Sequence, residues 1–168
     1  MLRETSMGHQ HEVESLTRPK YDSGIRTTCQ FNTKIFYPDN KTPPLFSSDA
    51  LDNYGFDDER LSFYADGCAI TLNESGDSYT VKSATNEASI VNLTVSQAAP
   101  GFHVGKDGKS YFGTDPNYPW GSMRHAFWPR CNVEGSIITK AGDVDFKGRG
   151  FFSYALQGMK PHHAGEFT

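Results

Sequence analysis

The sequence predicts an all-β protein built from short antiparallel strands. Aromatic residues make up 13% of the 168 residues and charged residues 21%, alongside 16 Gly and 9 Pro. Rings and turn formers in this proportion, without long runs of helix formers, are typical of β-proteins. Runs of alternating apolar and polar residues recur between turn signals about every 8–12 residues. That spacing favours a meander that closes into a barrel or a sandwich.

The first part of the chain changes character abruptly. Residues 1–23 are polar and mix both signs of charge without periodicity, so we expect them to be disordered. From Ile25 to Tyr37 apolar and polar residues alternate, which predicts a strand with one buried face. Pro38 to Pro44 is rich in turn residues and predicts a loop. The acidic stretch from Asp49 to Arg60 is predicted to be irregular, with one short helical turn at most.

The rest of the chain alternates between strand-like runs and turn signals. Asp66-Gly67 and Asp107-Gly108 predict tight hairpins, because both central residues of a type I′ turn need positive φ. The further predicted strands are Leu61–Ala65, Cys68–Leu72, Ser78–Ser83, Ser89–Ser96, Phe102–Val104, Ser110–Phe112, Cys131–Thr139, Val144–Lys147 and Gly150–Leu156.

Composition and charge exclude several function classes. The formal net charge of −4 argues against nucleic acid as the main partner, because phosphate binding needs a basic face. No run of about 18 apolar residues is present, so we expect no membrane-spanning helix. The first 20 residues lack the apolar centre of a signal peptide, which predicts an intracellular protein.

The cysteines and histidines predict neither disulfides nor a metal site. Cys29, Cys68 and Cys131 are odd in number, far apart and flanked by strand-like sequence, so we expect small buried hydrophobic side chains. His162-His163 and the pair His9 and His11 have no second pair of ligands at a useful spacing. We therefore expect no metal and no cofactor.

The segment Pro116–Arg130 is the most unusual part of the sequence. It holds both tryptophans, and its Gly and three Pro predict an irregular conformation. One interpretation is that its rings plug one end of a barrel. Another is that they line an apolar cavity with Ser122, Arg124 or His125 at its mouth. The pair Ser122 and His125 also suggests a nucleophile and a base, but no strained Gly-x-Ser-x-Gly elbow surrounds the serine, so we predict no catalytic residue.

Five strings of the chain resemble the fungal survival factor 1 family. They are Ile25–Tyr37, Leu51–Asp57, Asn86–Thr94, Trp120–Arg130 and Ala155–Ala164. The resemblance covers about Gly24 to Ala164. It implies a lipocalin-like antiparallel β-barrel, because proteins of that family carry two such domains in tandem. The resulting interpretation is a disordered segment 1–23, a partial N-terminal lipocalin-like domain 24–164 and a divergent tail 165–168, with the barrel incomplete at both ends.

The resemblance also implies a function. The family is associated with ceramide binding, with ceramide transport from the endoplasmic reticulum to the cis-Golgi and with survival under oxidative stress. It implies a cytoplasmic protein that contacts those membranes transiently, and a nuclear pool is compatible with it. The family begins with an amphipathic membrane-binding helix, whereas Met1–Ser23 shows no apolar helical stripe.

The predicted lipid site combines rings with a few polar groups. We expect the lipid tails to contact inward-facing aromatic side chains, while Ser122, Arg124 and His125 hydrogen-bond the amide and hydroxyl groups of the head. The aromatic candidates are Phe31, Phe63, Phe112, Trp120, Phe127 and Trp128.

Two alternatives to a lipid carrier remain open. One is an enzyme similar to carotenoid 1,2-hydratases, for which His125 or Glu134 would be the acid. The other is a stress-response scaffold that binds no ligand.

Overall fold

The computed structural model describes residues 29–38, 41–59 and 61–158, and all the regular secondary structure within these residues is β-strand. Residues 1–28 and 159–168 lie outside this part, and so do both predicted domain boundaries, the predicted disorder of 1–23 and the start of the strand predicted from Ile25. The strands are β1 Gln30–Ile35, β2 Leu45–Ala50, β3 Gly55–Phe56, β4 Phe63–Ala65, β5 Cys68–Leu72, β6 Ser78–Asn86, β7 Ser89–Gln97, β8 Phe102–His103, β9 Lys109–Phe112, β10 Gly121–Thr139 and β11 Gly142–Gly158.

The strands form two antiparallel sheets. Nine strands make a large sheet in the order β11-β10-β7-β6-β5-β4-β3, with β8 and β9 also paired to β10, while β1 and β2 make a small sheet. The prediction of an all-β antiparallel fold is confirmed. The described sheets do not close on themselves, which is consistent with an incomplete barrel.

The long strand β10 organises the large sheet. One side of β10 pairs with β11 over almost its whole length. Its other side pairs in turn with β9, β8 and β7. At a rise of roughly 3.3 Å per residue, its 19 residues span about 60 Å. A bulge interrupts the ladder between Trp128 and Cys131, where Pro129 supplies no backbone N–H.

The core lies on one face of the large sheet. Phe63, Ile70, Val81 and Leu93 are buried and stand opposite one another across β4, β5, β6 and β7. Such rows form because side chains in register on neighbouring strands share a face. Cys29, Phe31 and Leu51, in and around the small sheet, belong to the same buried cluster. The small sheet therefore covers part of this face, which we call the core face; the opposite side is the outer face.

Polar contacts fix the small sheet to the large one. The Asp49 carboxylate on β2 accepts hydrogen bonds from the Thr85 hydroxyl, at 3.2 Å, and from the side-chain amide of Asn86. Both donors lie at the end of β6. The Leu51 N–H donates to the Cys29 carbonyl at 2.9 Å and extends the pairing of the small sheet by one step. These contacts fix the position of the small sheet over the core face.

The two predicted Asp-Gly turns differ. Asp107 (φ 55°) and Gly108 (φ 74°) both have positive φ, which confirms a type I′ turn there. At Asp66-Gly67 only the glycine does (φ 70°), so the type I′ prediction is wrong for that turn, although it does join β4 to β5. The predicted pairing across 106–109 is limited to a single bridge, because β8 and β9 both pair with β10 and lie end to end along it.

Three other predictions need correction. The aromatic segment is irregular only up to Trp120; from Gly121 it is part of β10, because strand pairing on both sides outweighs its Gly and Pro content. The region predicted to be irregular contains the end of β2 and all of β3. The runs 144–147 and 150–156 belong to the single strand β11. Among the described residues, no helix is long and apolar enough to cross a membrane.

The three cysteines are free and buried, as predicted. Burial raises the pKa of all three thiols. The pKa of Cys68 rises to about 11, mainly through burial and secondarily through the nearby Cys29. A raised pKa keeps a thiol protonated and weakly nucleophilic at neutral pH.

The Phe31→Ala substitution should lower the free energy of unfolding by about 3–5 kcal/mol, because it removes a ring that is only 2% exposed. Phe46→Ala, on the partner strand, is the matched control, since Phe46 is 66% exposed. Its effect should stay within about 0.5 kcal/mol. Urea denaturation followed by circular dichroism measures both, and equal losses would contradict the placement of the core.

Stability should also decline at high pH through Cys68. Its folded pKa of about 11 lies above the ordinary 9.0, so its contribution is complete below pH 9 and is lost as the pH rises through 11. Urea denaturation at a series of pH values should therefore show a shallower decline for Cys68→Ala than for the unmodified chain. Identical pH dependence of the two would show that burial of this thiol does not stabilise its protonated form.

Candidate functional site

The two faces of β10 separate the candidate polar residues. Trp128 packs against the buried cluster, so its side chain lies on the core face. Because side chains alternate along a strand, Ser122 and Arg124 share that face, whereas His125 and Phe127 point to the outer face. The predicted head-group contacts are therefore not all on one side of the sheet.

Three rings form a cluster on the core face, which we call the core-face cluster. The Tyr79 ring stacks on Phe152, with centroids 4.6 Å apart, and Trp128 contacts both at 5.1 and 5.6 Å. All three are half-buried and pack against the buried cluster. Strand register explains the contact between Trp128 and Phe152, because the two residues are directly opposite on β10 and β11. The cluster thus extends the apolar core towards the first half of β10.

Tyr79 adds a polar group to the core-face cluster. Burial raises the pKa of its phenol, and the nearby Asp57 carboxylate raises it further. Both effects disfavour the phenolate, since one desolvates a charge and the other repels it. The hydroxyl therefore stays protonated at neutral pH and can donate a hydrogen bond.

A second group of rings lies on the outer face, which we call the outer-face cluster. Phe127 contacts Phe102, His125 and Phe151, with centroids 5.2, 5.4 and 5.6 Å away. Phe102 is 50% exposed and Phe151 is 60% exposed. This cluster is therefore more open to solvent than the core-face cluster.

The remaining candidates lie in two other places. Phe112 and Trp120 stack with centroids 5.7 Å apart at the end of β9, and Trp120 is 42% exposed. Phe31 and Phe63 are 2% and 4% exposed within the core. A ligand has no access to those two rings without displacing the core.

Four rings of the two clusters are not among the predicted site residues. Tyr79 and Phe152 complete the core-face cluster, and Phe102 and Phe151 belong to the outer-face cluster. The predicted strands Ser78–Ser83 and Gly150–Leu156 contain three of these rings, Tyr79, Phe151 and Phe152. The local sequence does not predict strand register, and it is the register that places Phe152 opposite Trp128.

An open depression of about 450 Å³ lies elsewhere, over β5, β6 and β7. Its lining includes Gly67, Ala69, Lys82 and Ile90, and none of the predicted lipid-binding residues. The predicted site and this depression are therefore separate features.

The geometry gives no support to catalysis at the candidate residues. Ser122 and His125 point to opposite faces, so they do not form a nucleophile–base pair. Glu134 is exposed on the outer face, opposite Lys147. In the described part of the chain, no three His, Cys, Asp or Glu side chains are grouped closely enough to hold a metal ion.

Comparison with known proteins gives a consistent family. The model of the Svf1 family matches residues 22–167. Ceramide-binding protein svf1 of Aspergillus fumigatus is 62% identical over 142 residues, which are 84% of this chain and 36% of that protein. Ceramide-binding protein svf-1 of Neurospora crassa is 57% identical over 142 residues, which are 84% of this chain and 37% of that protein.

A more distant relative shows the same pattern. Ceramide-binding protein svf1 of Schizosaccharomyces pombe is 43% identical over 137 residues, which are 82% of this chain and 36% of that protein. This chain thus spans little more than a third of the length of the relatives it matches. No solved structure matches it significantly.

The core-face cluster predicts a difference between two neighbouring phenylalanines. In a Trp120→Phe background, where Trp128 is the single tryptophan, Phe152→Ala should shift the emission to longer wavelength and raise acrylamide quenching about twofold, because it uncovers the indole. Phe151→Ala, the matched control on the other face, should leave both unchanged. An equal response to the two substitutions would contradict the assignment of faces.

Proposed function

This chain belongs to the Svf1 family, and from that premise we propose that it binds ceramide on the core face of its large sheet, around Trp128. The observation that carries the proposal is the core-face cluster, three half-buried rings that continue the apolar core. The names of the relatives support ceramide as the ligand.

The tails of the lipid lie against the rings of the core-face cluster. Transfer of apolar surface from water contributes about 25 cal/mol per Å², so two acyl tails need an apolar surface rather than charge. Trp128 and Phe152 offer such a surface beside the buried core. Phe127 and Phe151 also offer rings, but on the outer face, where Phe151 is 60% exposed and the buried cluster lies on the other side of the sheet.

The head of ceramide is neutral and carries an amide and hydroxyl groups. Ser122 and Arg124 lie on the same face as Trp128, about 20 and 13 Å along β10 at roughly 3.3 Å per residue. The protonated Tyr79 hydroxyl lies within the cluster itself. Ser122 and Arg124 are the proposed hydrogen-bonding partners of the head, while Tyr79 lies among the rings that contact the tails. His125 is not a proposed partner, because it points to the other face.

The proposed cellular role is that of a carrier. A neutral two-chain lipid leaves a membrane slowly, so its movement between endoplasmic reticulum and cis-Golgi needs a protein that shields its tails. The proposal therefore includes a cytoplasmic protein that contacts both membranes transiently and supports survival under oxidative stress. It assigns no catalytic step, and no observation favours the hydratase alternative, since His125 and Glu134 lie on the outer face.

Ceramide binding is tested with the purified chain and vesicles that carry a fluorescent short-chain ceramide. The chain should take up the lipid, and Trp128→Ala should weaken the binding at least tenfold by removing the largest ring of the cluster. Phe127→Ala is the matched control from the outer face and should change affinity less than twofold. A full-length relative serves as the positive control.

Two outcomes would overturn the proposal. If the chain takes up no ceramide while the full-length relative does, a scaffold without a ligand becomes the better description. If Phe127→Ala weakens binding as much as Trp128→Ala, the lipid does not lie on the core face. Circular dichroism of each variant shows that a loss of binding is not a loss of folding.

A further inference from the structure

In the described part of the chain, β11 is an edge strand of the large sheet. Its 17 residues pair with β10 on one side, and the described part of the chain supplies no strand for the other. An edge strand of this length presents a row of unpaired N–H and C=O groups, which is a template for another strand.

The backbone contacts of β7 show which residues of β11 face the open side. The Gln97 N–H donates to the Asp77 carbonyl next to β6, and the following Ala98 N–H donates to the Arg130 carbonyl of β10, both at 2.8 Å. Even-numbered residues of β7 therefore direct their backbone groups towards β10. Backbone groups alternate in direction along a strand, and Ile90 pairs with Ile138, so after the bulge the even-numbered residues of β10 direct theirs to β7 and the odd-numbered residues direct theirs to β11. The odd-numbered residues of β10 pair with even-numbered residues of β11. The backbone groups of the odd-numbered residues of β11 between 143 and 149 therefore point to the open edge.

Those same four residues carry a regular pattern of charge. Asp143, Asp145, Lys147 and Arg149 are exposed on the outer face and read, in order, negative, negative, positive, positive. Across β10 only Lys147 stands opposite a residue of the other charge, Glu134. The pattern is therefore not explained by pairing with β10.

The pattern is self-complementary when the strand is reversed. We propose that two copies of this chain pair antiparallel through their β11 edges, in the register centred on Phe146. Asp143 then stands opposite Arg149 of the second copy, and Asp145 opposite Lys147 of the second copy. By two-fold symmetry each pairing occurs twice, which gives four cross-strand pairs of opposite charge.

Backbone geometry selects the same register. The charged residues are those whose N–H and C=O groups point outwards, so directly opposite charged pairs are also the hydrogen-bonded pairs of an antiparallel ladder. Moving the register by two residues in either direction places Asp145 opposite Asp145, or Lys147 opposite Lys147, of the second copy. Like charges directly opposite are destabilising, so the register centred on Phe146 is favoured over both neighbours.

The core face accepts this arrangement. Phe146 would meet Phe146 of the second copy across the two-fold axis, and Val144 would stand opposite Gly148, which has no side chain to obstruct it. In the single chain the Phe146 ring packs beside the buried cluster and lies next to Gly148. The pairing would therefore continue both the sheet and its apolar face from one copy to the next.

Sedimentation velocity of the 168-residue chain over a range of concentrations tests the proposal. The chain should pass from monomer to dimer as concentration rises, and high salt should weaken the dimer because exposed ion pairs are screened. Asp143→Lys with Asp145→Lys makes all four edge charges positive, and Lys147→Asp with Arg149→Asp makes all four negative. Each double variant alone should dimerise at least tenfold more weakly.

Mixing the two double variants distinguishes edge pairing from a general effect of charge. An equimolar mixture should form a heterodimer, because every edge charge again meets its opposite. Glu74→Lys with Glu87→Lys changes net charge as much as the positive variant but lies in exposed turns, and it should dimerise like the unmodified chain. Circular dichroism confirms that each variant is folded.

Three results would overturn the proposal. The first is an unmodified chain that stays monomeric at every concentration. The second is self-association of either double variant as strong as that of the unmodified chain. The third is a mixture of folded double variants that forms no heterodimer.

Discussion

The pairing of β10 on both of its sides is the constraint on which the other features depend. A strand of 19 residues with β11 on one side and β9, β8 and β7 on the other fixes the register of those four strands. Register then decides which side chains meet, since a slip of one residue would move every ring to the opposite face. The contacts of Trp128 with Phe152 and of Phe127 with Phe151 follow from this alignment.

The same alignment divides the rings into two chemical environments. Trp128 and Phe152 stand opposite each other and share the core face, where the buried cluster supports them. One position away on each strand, Phe127 and Phe151 form their contact on the outer face, where Phe151 is exposed. Apolar content alone therefore does not make a lipid site; the site needs rings that share a face with a core already shielded from water.

The sequence was informative where local signals decide the structure. The alternation of apolar and polar residues predicted the strand Cys68–Leu72 with the bounds that it has in the structure. Asp107-Gly108 adopts the type I′ turn that its residues favour. Prediction failed where pairing with distant strands decides. The run Leu45–Ala50 has little strand character and is a strand because it pairs with β1, while Gly121–Arg130 is extended because partners hold it on both sides. For the candidate site, the composition of the aromatic segment was enough to predict Trp128. Its contact with Phe152 and the burial of Phe31 and Phe63 in the core depend on how the strands pair, which the local sequence does not predict.

The bulge at Pro129 and Arg130 reverses the alternation of side chains along β10. Three steps on β10, from Trp128 to Cys131, match two steps on β11, from Phe152 to Gly150. Even-numbered residues before the bulge and odd-numbered residues after it therefore face the core. The extra residue reverses the alternation, so that Trp128 in the aromatic half and Val133 and Ile137 in the second half of one strand contribute to one continuous apolar surface.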